Sequence, residues 1–220
     1  MYQLYIGNKN YSSWSLRPWL LMTHFGIAFE EKLVPLTGAG THTAYSSNGL
    51  VPCLHDDDFQ VWDTLAIAEF LHDAHPELNI WPTDKKARAR ARSISAEMHS
   101  GFAAMRNALG MNIKFRLKGT TPSADVAANI TRIQAIWTDA RRDFAGDKPY
   151  LFGDFSAADA MFAPVVWRFE TYNVPLDAVA QDYVNTMLAH PVMQAWKVGA
   201  LADESLAHYD VVLEKYGGVR

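Results

Sequence analysis

The hydrophobic pattern of this chain changes period once, near residues 79 to 86, and that change limits the folds open to it. Before it, short elements of different period alternate. Tyr2 to Ile6 alternates as a strand does, and Gly7-Asn8-Lys9-Asn10 reads as a turn. Leu16, Trp19, Leu20 and Met22 to Phe25 then share one helical face, with Gly26 as the stop. Phe29 to Val34 reads as a second strand, followed by a loop from Thr37 to Gly49 rich in Gly, Ser, Thr and Asn. Val51 to His55 and Phe59 to Trp62 read as two more strands around the turn Asp56-Asp57-Asp58, and a helix follows from about Thr64 to Leu71. Beyond Pro82 and Asp84, strand signals nearly vanish. Long helical patterns cover roughly Lys86 to Leu109, Ser123 to Phe144, Ala157 to Phe169, Ala180 to Leu188 and Val192 to Leu201. The expected architecture is a small βαβββα domain over residues 1–80 and an all-helical domain over residues 86–220.

Composition removes several classes of function. With 49% apolar and 20% charged residues the chain can bury a core, which excludes disorder. No apolar run approaches the ~20 residues of a membrane-spanning helix, and Met1 to Tyr5 lacks the basic and apolar regions of a secretion signal. A net charge of −4 gives no global attraction for nucleic acid or an anionic membrane. The single cysteine, Cys53, can form neither an internal disulfide nor a cysteine-based metal site, which fits a reducing compartment; the cytoplasm is the expected location.

Three short segments carry chemistry. Ser12-Ser13-Trp14-Ser15-Leu16-Arg17-Pro18 joins the first strand to the first helix. Proline is tolerated in a helix's first turn, so Pro18 is expected to pin the helix start to about residues 14 to 17. Ser12 and Ser13 then lie where free backbone N–H groups favour an anion, although a serine there can equally be a plain cap. In Val51-Pro52-Cys53-Leu54, proline stands at the mouth of a strand that otherwise reads as central. A cis Val51–Pro52 bond is expected, leaving the main-chain groups of Val51 free to pair with an extended peptide-like ligand; an edge-strand proline is the alternative. Asp63-Thr64 sits between a strand and a helix, where either residue can cap, or Thr64 can bind a carboxylate and Asp63 an ammonium.

Taken together, these segments resemble the cytosolic glutathione transferase family over nearly the whole chain. The serine-bearing turn is similar to the pattern of that family's zeta class, with Trp14 in place of a cysteine; Val51-Pro52 matches its Val-Pro dipeptide, and Asp63-Thr64 its acidic-then-hydroxyl pair. Gly153-Asp154-Phe155-Ser156-Ala157-Ala158-Asp159 resembles the family's capping box and staple, in which Ser156 caps a helix, Asp159 returns the bond and Phe155 is the apolar staple. The resemblance implies a thioredoxin-like domain and a helical domain, a homodimer, and conjugation of glutathione to small electrophiles. It implies that Val51 and Pro52 hold the cysteinyl part of glutathione, Asp63 and Thr64 its γ-glutamyl end, and Ser12 or Ser13 its sulfur. The resemblance places the active serine four or five residues before the helix arginine, here Arg17, and its zeta-class pattern implies Ser12 over Ser13. The resemblance implies that Trp14 borders the sulfur and the acceptor pocket; His42 reads first as a solvated loop histidine, with contact to the glycyl carboxylate as the alternative. Isomerisation, peroxide reduction or dehalogenation on the same site, and a non-catalytic binding role, are the alternatives.

Other residues point elsewhere. Met98, Phe102 and Met105 recur on one helical face, either as core or as walls of the acceptor pocket. Cys53 reads as a buried structural thiol. His72 and His75 lack the partners of a metal site, Asp56 to Asp58 lack the remaining ligands of a calcium loop, and Gly38-Ala39-Gly40 is no phosphate fingerprint, so no metal is expected. Lys85, Lys86, Arg88, Arg90 and Arg92 spread around a helix rather than forming a nucleic-acid stripe.

Overall fold

The structure, a computed structural model, describes residues 1–36, 43–119 and 121–219. It opens with β1 (Tyr2–Ile6), α1 (Ser13–His24), β2 (Phe29–Leu33), β3 (Cys53–Asp56), β4 (Phe59–Trp62) and α2 (Thr64–Ala74). The four strands form one sheet in the order β2-β1-β3-β4. β1 and β2 are parallel, as a crossover helix requires, and the other pairs are antiparallel. The Val51–Pro52 bond is cis, in line with the sequence reading, and β3 starts just after it.

The rest is mostly helical: α3 (Lys85–Ser100), α4 (Ala103–Ala108), α5 (Ala124–Ala140), which runs into a π-helical turn over Arg141–Ala145, α6 (Ala157–Thr171), α7 (Ala178–Ala189), α8 (Pro191–Ala202) and α9 (Ala207–Tyr216). A two-stranded ladder that pairs β5 (Arg116–Leu117) with β6 (Gly218–Val219) departs from the all-helical expectation. Helix α9 fits that expectation but had no counterpart among the helices expected from the sequence. The single helix expected over Lys86 to Leu109 is broken in two. Gly101 ends α3 by donating its N–H to Glu97 O, and Phe102 takes the left-handed conformation at φ 58°.

Helix α1 also begins earlier than expected. Ser12 caps it, accepting from Ser15 N, so Pro18 lies in its second turn rather than its first. Nearly every residue from Ser15 to Met22 is buried, because α1 is packed between the sheet on one side and α6 and α8 on the other. The apolar core is continuous across this packing. Polar bonds fasten it: Arg17 Nε donates to Met161 O at 3.2 Å, Trp196 Nε1 to Lys9 O at 2.9 Å, and Ala157 N to Ile80 O at 2.8 Å.

At the start of α6, Asp159 does what the capping motif anticipated. Its carboxylate accepts from the N–H of Ser156 at 2.9 Å, and Phe155 is buried beside it. It also accepts from Ser156 Oγ, Leu151 N and Tyr183 Oη, each at 3.1 Å.

Candidate functional site

Two cavities meet at the N-terminus of α1 and share Trp14, Leu50 and Val51. The first, about 320 Å³, is bounded by Val51 and Pro52 ahead of β3, by Asp63 and Thr64 at the start of α2, and by His99 near the end of α3. The second, about 310 Å³, is bounded by Ser12, Ser13 and Tyr11 on one side and by Arg106, Arg168 and Tyr209 on the other. Their common edge is the N-terminal turn of α1, where Ser13 N donates to Tyr11 O and Ser15 N to Ser12 Oγ, and the N–H of Trp14 makes no hydrogen bond to another described residue.

In the first cavity Asp63 is the N-cap of α2, its Oδ1 accepting from Leu65 N at 2.9 Å. Its φ of 73° with ψ of 137° lies outside the left-handed helical region and is strained for a residue with a side chain. Asp63 Oδ2 pairs with His99 Nε2 at 2.5 Å, a contact that bridges the sheet side and the helical side of the molecule. Thr64 is buried, and its Oγ1 has no hydrogen-bond partner among the described residues. The main-chain N–H and C=O of Val51 likewise make no hydrogen bond to another described residue.

At the common edge the two serines differ. Ser12 Oγ donates to Ser15 Oγ at 2.7 Å, which in turn accepts from Gly7 N at 3.0 Å. Ser13 Oγ accepts from Arg168 Nη2 at 3.2 Å and keeps its own proton. Two guanidiniums lie over the indole of Trp14, that of Arg17 at 4.2 Å and that of Arg106 at 5.4 Å from its centroid, with the His99 ring edge-on at 5.2 Å. Burial and the neighbouring arginines lower Arg17 to about 9; burial lowers Arg168 to about 10.

The structure therefore brings Ser12, Ser13, Trp14, Val51, Pro52, Asp63 and Thr64 to one place. It places Met98, Phe102 and Met105 elsewhere, which corrects their reading as pocket walls: all three are buried in the core and border neither cavity. The reason is the break at Gly101 and Phe102, which redirects the chain so that Arg106, not Met105, reaches the second cavity. His42 and the Gly38 to Gly40 segment lie outside the described residues. Cys53 is buried, and burial pushes its thiol up. Among the described residues, no group of three or more His, Cys, Asp or Glu is placed to hold a metal ion.

His99, Arg106, Arg168, Tyr11 and Tyr209 escaped the sequence reading. Arg168 left a trace, since it is the one basic residue of a largely apolar helix and buried charges need a partner. His99 and Arg106 left none, because nothing local ties them to residues 36 to 93 positions away.

A family model described as glutathione S-transferase, N-terminal domain, matches residues 11–74, and one described as glutathione S-transferase, C-terminal domain, matches residues 87–196. Among curated proteins the chain is similar to a probable maleylacetoacetate isomerase from Caenorhabditis elegans, at 25% identity over 131 residues. That match covers 57% of this chain and 58% of the relative, so the chain spans less than two thirds of its length. Among solved structures, a glutathione transferase homolog from Burkholderia GL BGR1 with bound glutathione is similar at a TM-score of 0.69 and 23% identity, covering 92% of this chain and 99% of that one. The glutathione transferase Omega 2S of Trametes versicolor gives 0.70 at 17% identity, covering 95% and 98%. The theta class enzyme of Xanthomonas axonopodis pv. citri with glutathione bound gives 0.64 at 19%, covering 93% and 99%. At these identities the structural likeness speaks to the fold.

Proposed function

The chain belongs to the glutathione S-transferase family, and on that premise we propose that it binds glutathione along the first cavity and conjugates its sulfur to small electrophiles held in the second. The observation that carries this reading is the unpaired Thr64 Oγ1, buried in the wall of the first cavity next to the Asp63 carboxylate. Leaving a buried hydroxyl unpaired costs about 1–3 kcal/mol. The γ-glutamyl carboxylate of glutathione supplies the missing acceptor, and Asp63 takes the neighbouring ammonium. Val51 pairs through its free main-chain groups with the cysteinyl unit beside Pro52, which carries the sulfur to the start of α1.

A free thiol, with a pKa of about 8.5, is only a few per cent thiolate at neutral pH, and the thiolate is the nucleophile. Lowering that value by ~2 units takes ~2.7 kcal/mol of anion stabilisation. Ser13 is the better donor, because Ser12 already gives its proton to Ser15. The guanidinium of Arg168 on Ser13 Oγ strengthens that donor, and the helix-end amides add to it. Ser12 is then a positioning residue that caps α1. The thiolate lone pair forms the C–S bond while a leaving group departs with its bonding pair, or the π pair of an activated alkene moves to the adjacent carbon and takes up a proton.

A second reading is glutathione-dependent isomerisation at the same site, favoured by the similarity to a probable maleylacetoacetate isomerase. Product analysis separates the two, because an isomerase regenerates glutathione and a transferase consumes it. A homodimer in the cytoplasm, with residues 1–80 carrying glutathione and residues 86–220 the acceptor wall, belongs to the same proposal and rests on the family.

The test is a glutathione titration that follows thiolate absorbance against pH in the wild type, Ser12→Ala and Ser13→Ala. Saturable binding with a lowered thiol pKa that returns toward ~8.5 only in Ser13→Ala supports the mechanism. Ser12→Ala should cost about 1 kcal/mol of stability through the lost cap and leave the thiol shifted. An unshifted thiol in the wild type defeats the proposal.

A further inference from the structure

The second cavity holds more positive charge than one thiolate can balance. Arg106 and Arg168 stand in its wall, and Arg17 lies behind Trp14. Among the described residues none of the three pairs with a carboxylate; apart from Arg168 Nη2, which donates to Ser13 Oγ, their bonded donors go to main-chain oxygens. Arg17 Nε donates to Met161 O at 3.2 Å, Arg106 Nη1 to His99 O at 2.9 Å, and Arg168 Nη1 to Arg106 O at 2.9 Å and to Leu109 O. Arg17 Nη1 is buried and has no hydrogen-bond partner among the described residues. Behind Tyr11, the carboxylate of Asp210 accepts from Tyr11 Oη and Asn112 Nδ2, both at 2.9 Å.

Uncompensated buried guanidinium groups are expensive, and a guanidinium fork matches a carboxylate with two parallel hydrogen bonds. The rest of the wall suits a flat organic body, since Trp14, Leu36 and Met111 are apolar and Tyr11 stacks on Tyr209 at 4.9 Å. Ser13, between the arginines and the first cavity, marks where sulfur and acceptor meet.

We propose that the acceptor electrophile is a small planar organic anion whose carboxylate is held by Arg106 and Arg168, with its reactive carbon turned toward the sulfur at Ser13. The inference rests on the glutathione reading and extends it to the substrate's charge class. It assigns Arg168 two contacts, one to Ser13 and one to the acceptor, and assigns Arg106 the acceptor alone.

The test compares two ready-made conjugates, S-(4-carboxy-2-nitrophenyl)glutathione and its aryl methyl ester, by calorimetry against the wild type, Arg106→Gln and Arg168→Gln. Both carry the glutathione moiety, so the ester reports on the first cavity and on correct folding, while the acid-to-ester ratio reports on the anion site. The expected result is an acid that binds at least ~10-fold more tightly than the ester in the wild type. In each variant that preference falls below ~3-fold with ester affinity retained. Should Arg168→Gln fail to fold, Arg106→Gln alone decides. Equal affinities in the wild type overturn the anionic acceptor and leave the glutathione reading standing. Binding of neither conjugate overturns both. A ratio that survives in the variants overturns the assignment to these arginines.

Discussion

Thr64 shows at a single side chain how the proposed glutathione site would oppose stability. Its hydroxyl is buried and unpaired among the described residues, and a methyl in its place would have nothing to satisfy. Thr64→Val, nearly the same in shape, is therefore expected to leave the unliganded protein as stable as the wild type or up to ~1 kcal/mol more so. Glutathione affinity should fall by about tenfold, the loss of one hydrogen bond to a charged acceptor. Urea unfolding and calorimetry on the same pair measure both halves; an unchanged affinity would remove Thr64 from the site. Residues of this kind were legible in the sequence because their role is local: Ser12, Asp63 and Thr64 stand at strand-to-helix turns whatever the tertiary fold. The proposed preference for Ser13 over Ser12 was not legible, since it rests on Ser15 on one side and Arg168, 155 positions away, on the other.

Among the elements, the break between α3 and α4 matters most to the site. A Cβ at Gly101 would come within 2.6 Å of Glu97 O, the oxygen that Gly101 N caps, so the helix end has no room for a side chain. Gly101→Ala is expected to cost about 1–3 kcal/mol in urea unfolding and to weaken the acid-over-ester preference, because α4 carries Arg106. A variant as stable as the wild type would mean that the turn adapts and that the break is not enforced by Gly101. The sequence hid this break because Met98, Phe102 and Met105 keep helical spacing across it, and one glycine inside a periodic run is ordinarily tolerated. The start of α6 was plain by contrast: Phe155, Ser156 and Asp159 specify a cap within five residues, and the fold uses it. Helix α9 went unread because little of it is buried; it contributes Tyr209 against Tyr11 and Asp210 beneath it.

On the scale of the whole molecule, the two cavities exist because α1 is shared between the sheet and the later helices, and that shared packing contains buried groups that titrate in opposite senses. His24 Nδ1 and His190 Nε2 lie 3.0 Å apart, one at the end of α1 and one at the start of α8. His190 Nδ1 accepts from Val192 N at 3.1 Å, so its proton is on Nε2 and donates to His24, and a second proton would displace the cap of α8. Burial, with His24 beside it, lowers His190 to about 4 from an ordinary 6.5, and burial lowers His24 in the same sense. The unfolded chain therefore binds more protons between these values, and stability falls as pH drops from 6.5 toward 4. Asp159 acts the other way: burial raises it to about 6 from 3.8, so its contribution is full below 3.8 and is lost as pH rises through 6. The two effects oppose each other between pH 4 and 6. Asp159→Asn should steepen the rise of stability with pH in that window, and His190→Asn, which keeps a capping side chain, should flatten or invert it. Urea midpoints at half-unit pH steps for the three proteins read the slopes directly. If Asp159→Asn and the wild type run parallel, the buried carboxylate titrates with the unfolded chain and the opposition is not there. If the slopes separate as expected, the packing of α1 against α6 and α8 contains two groups whose titrations partly offset each other, and removing either shifts the slope of stability between pH 4 and 6 toward that of the other.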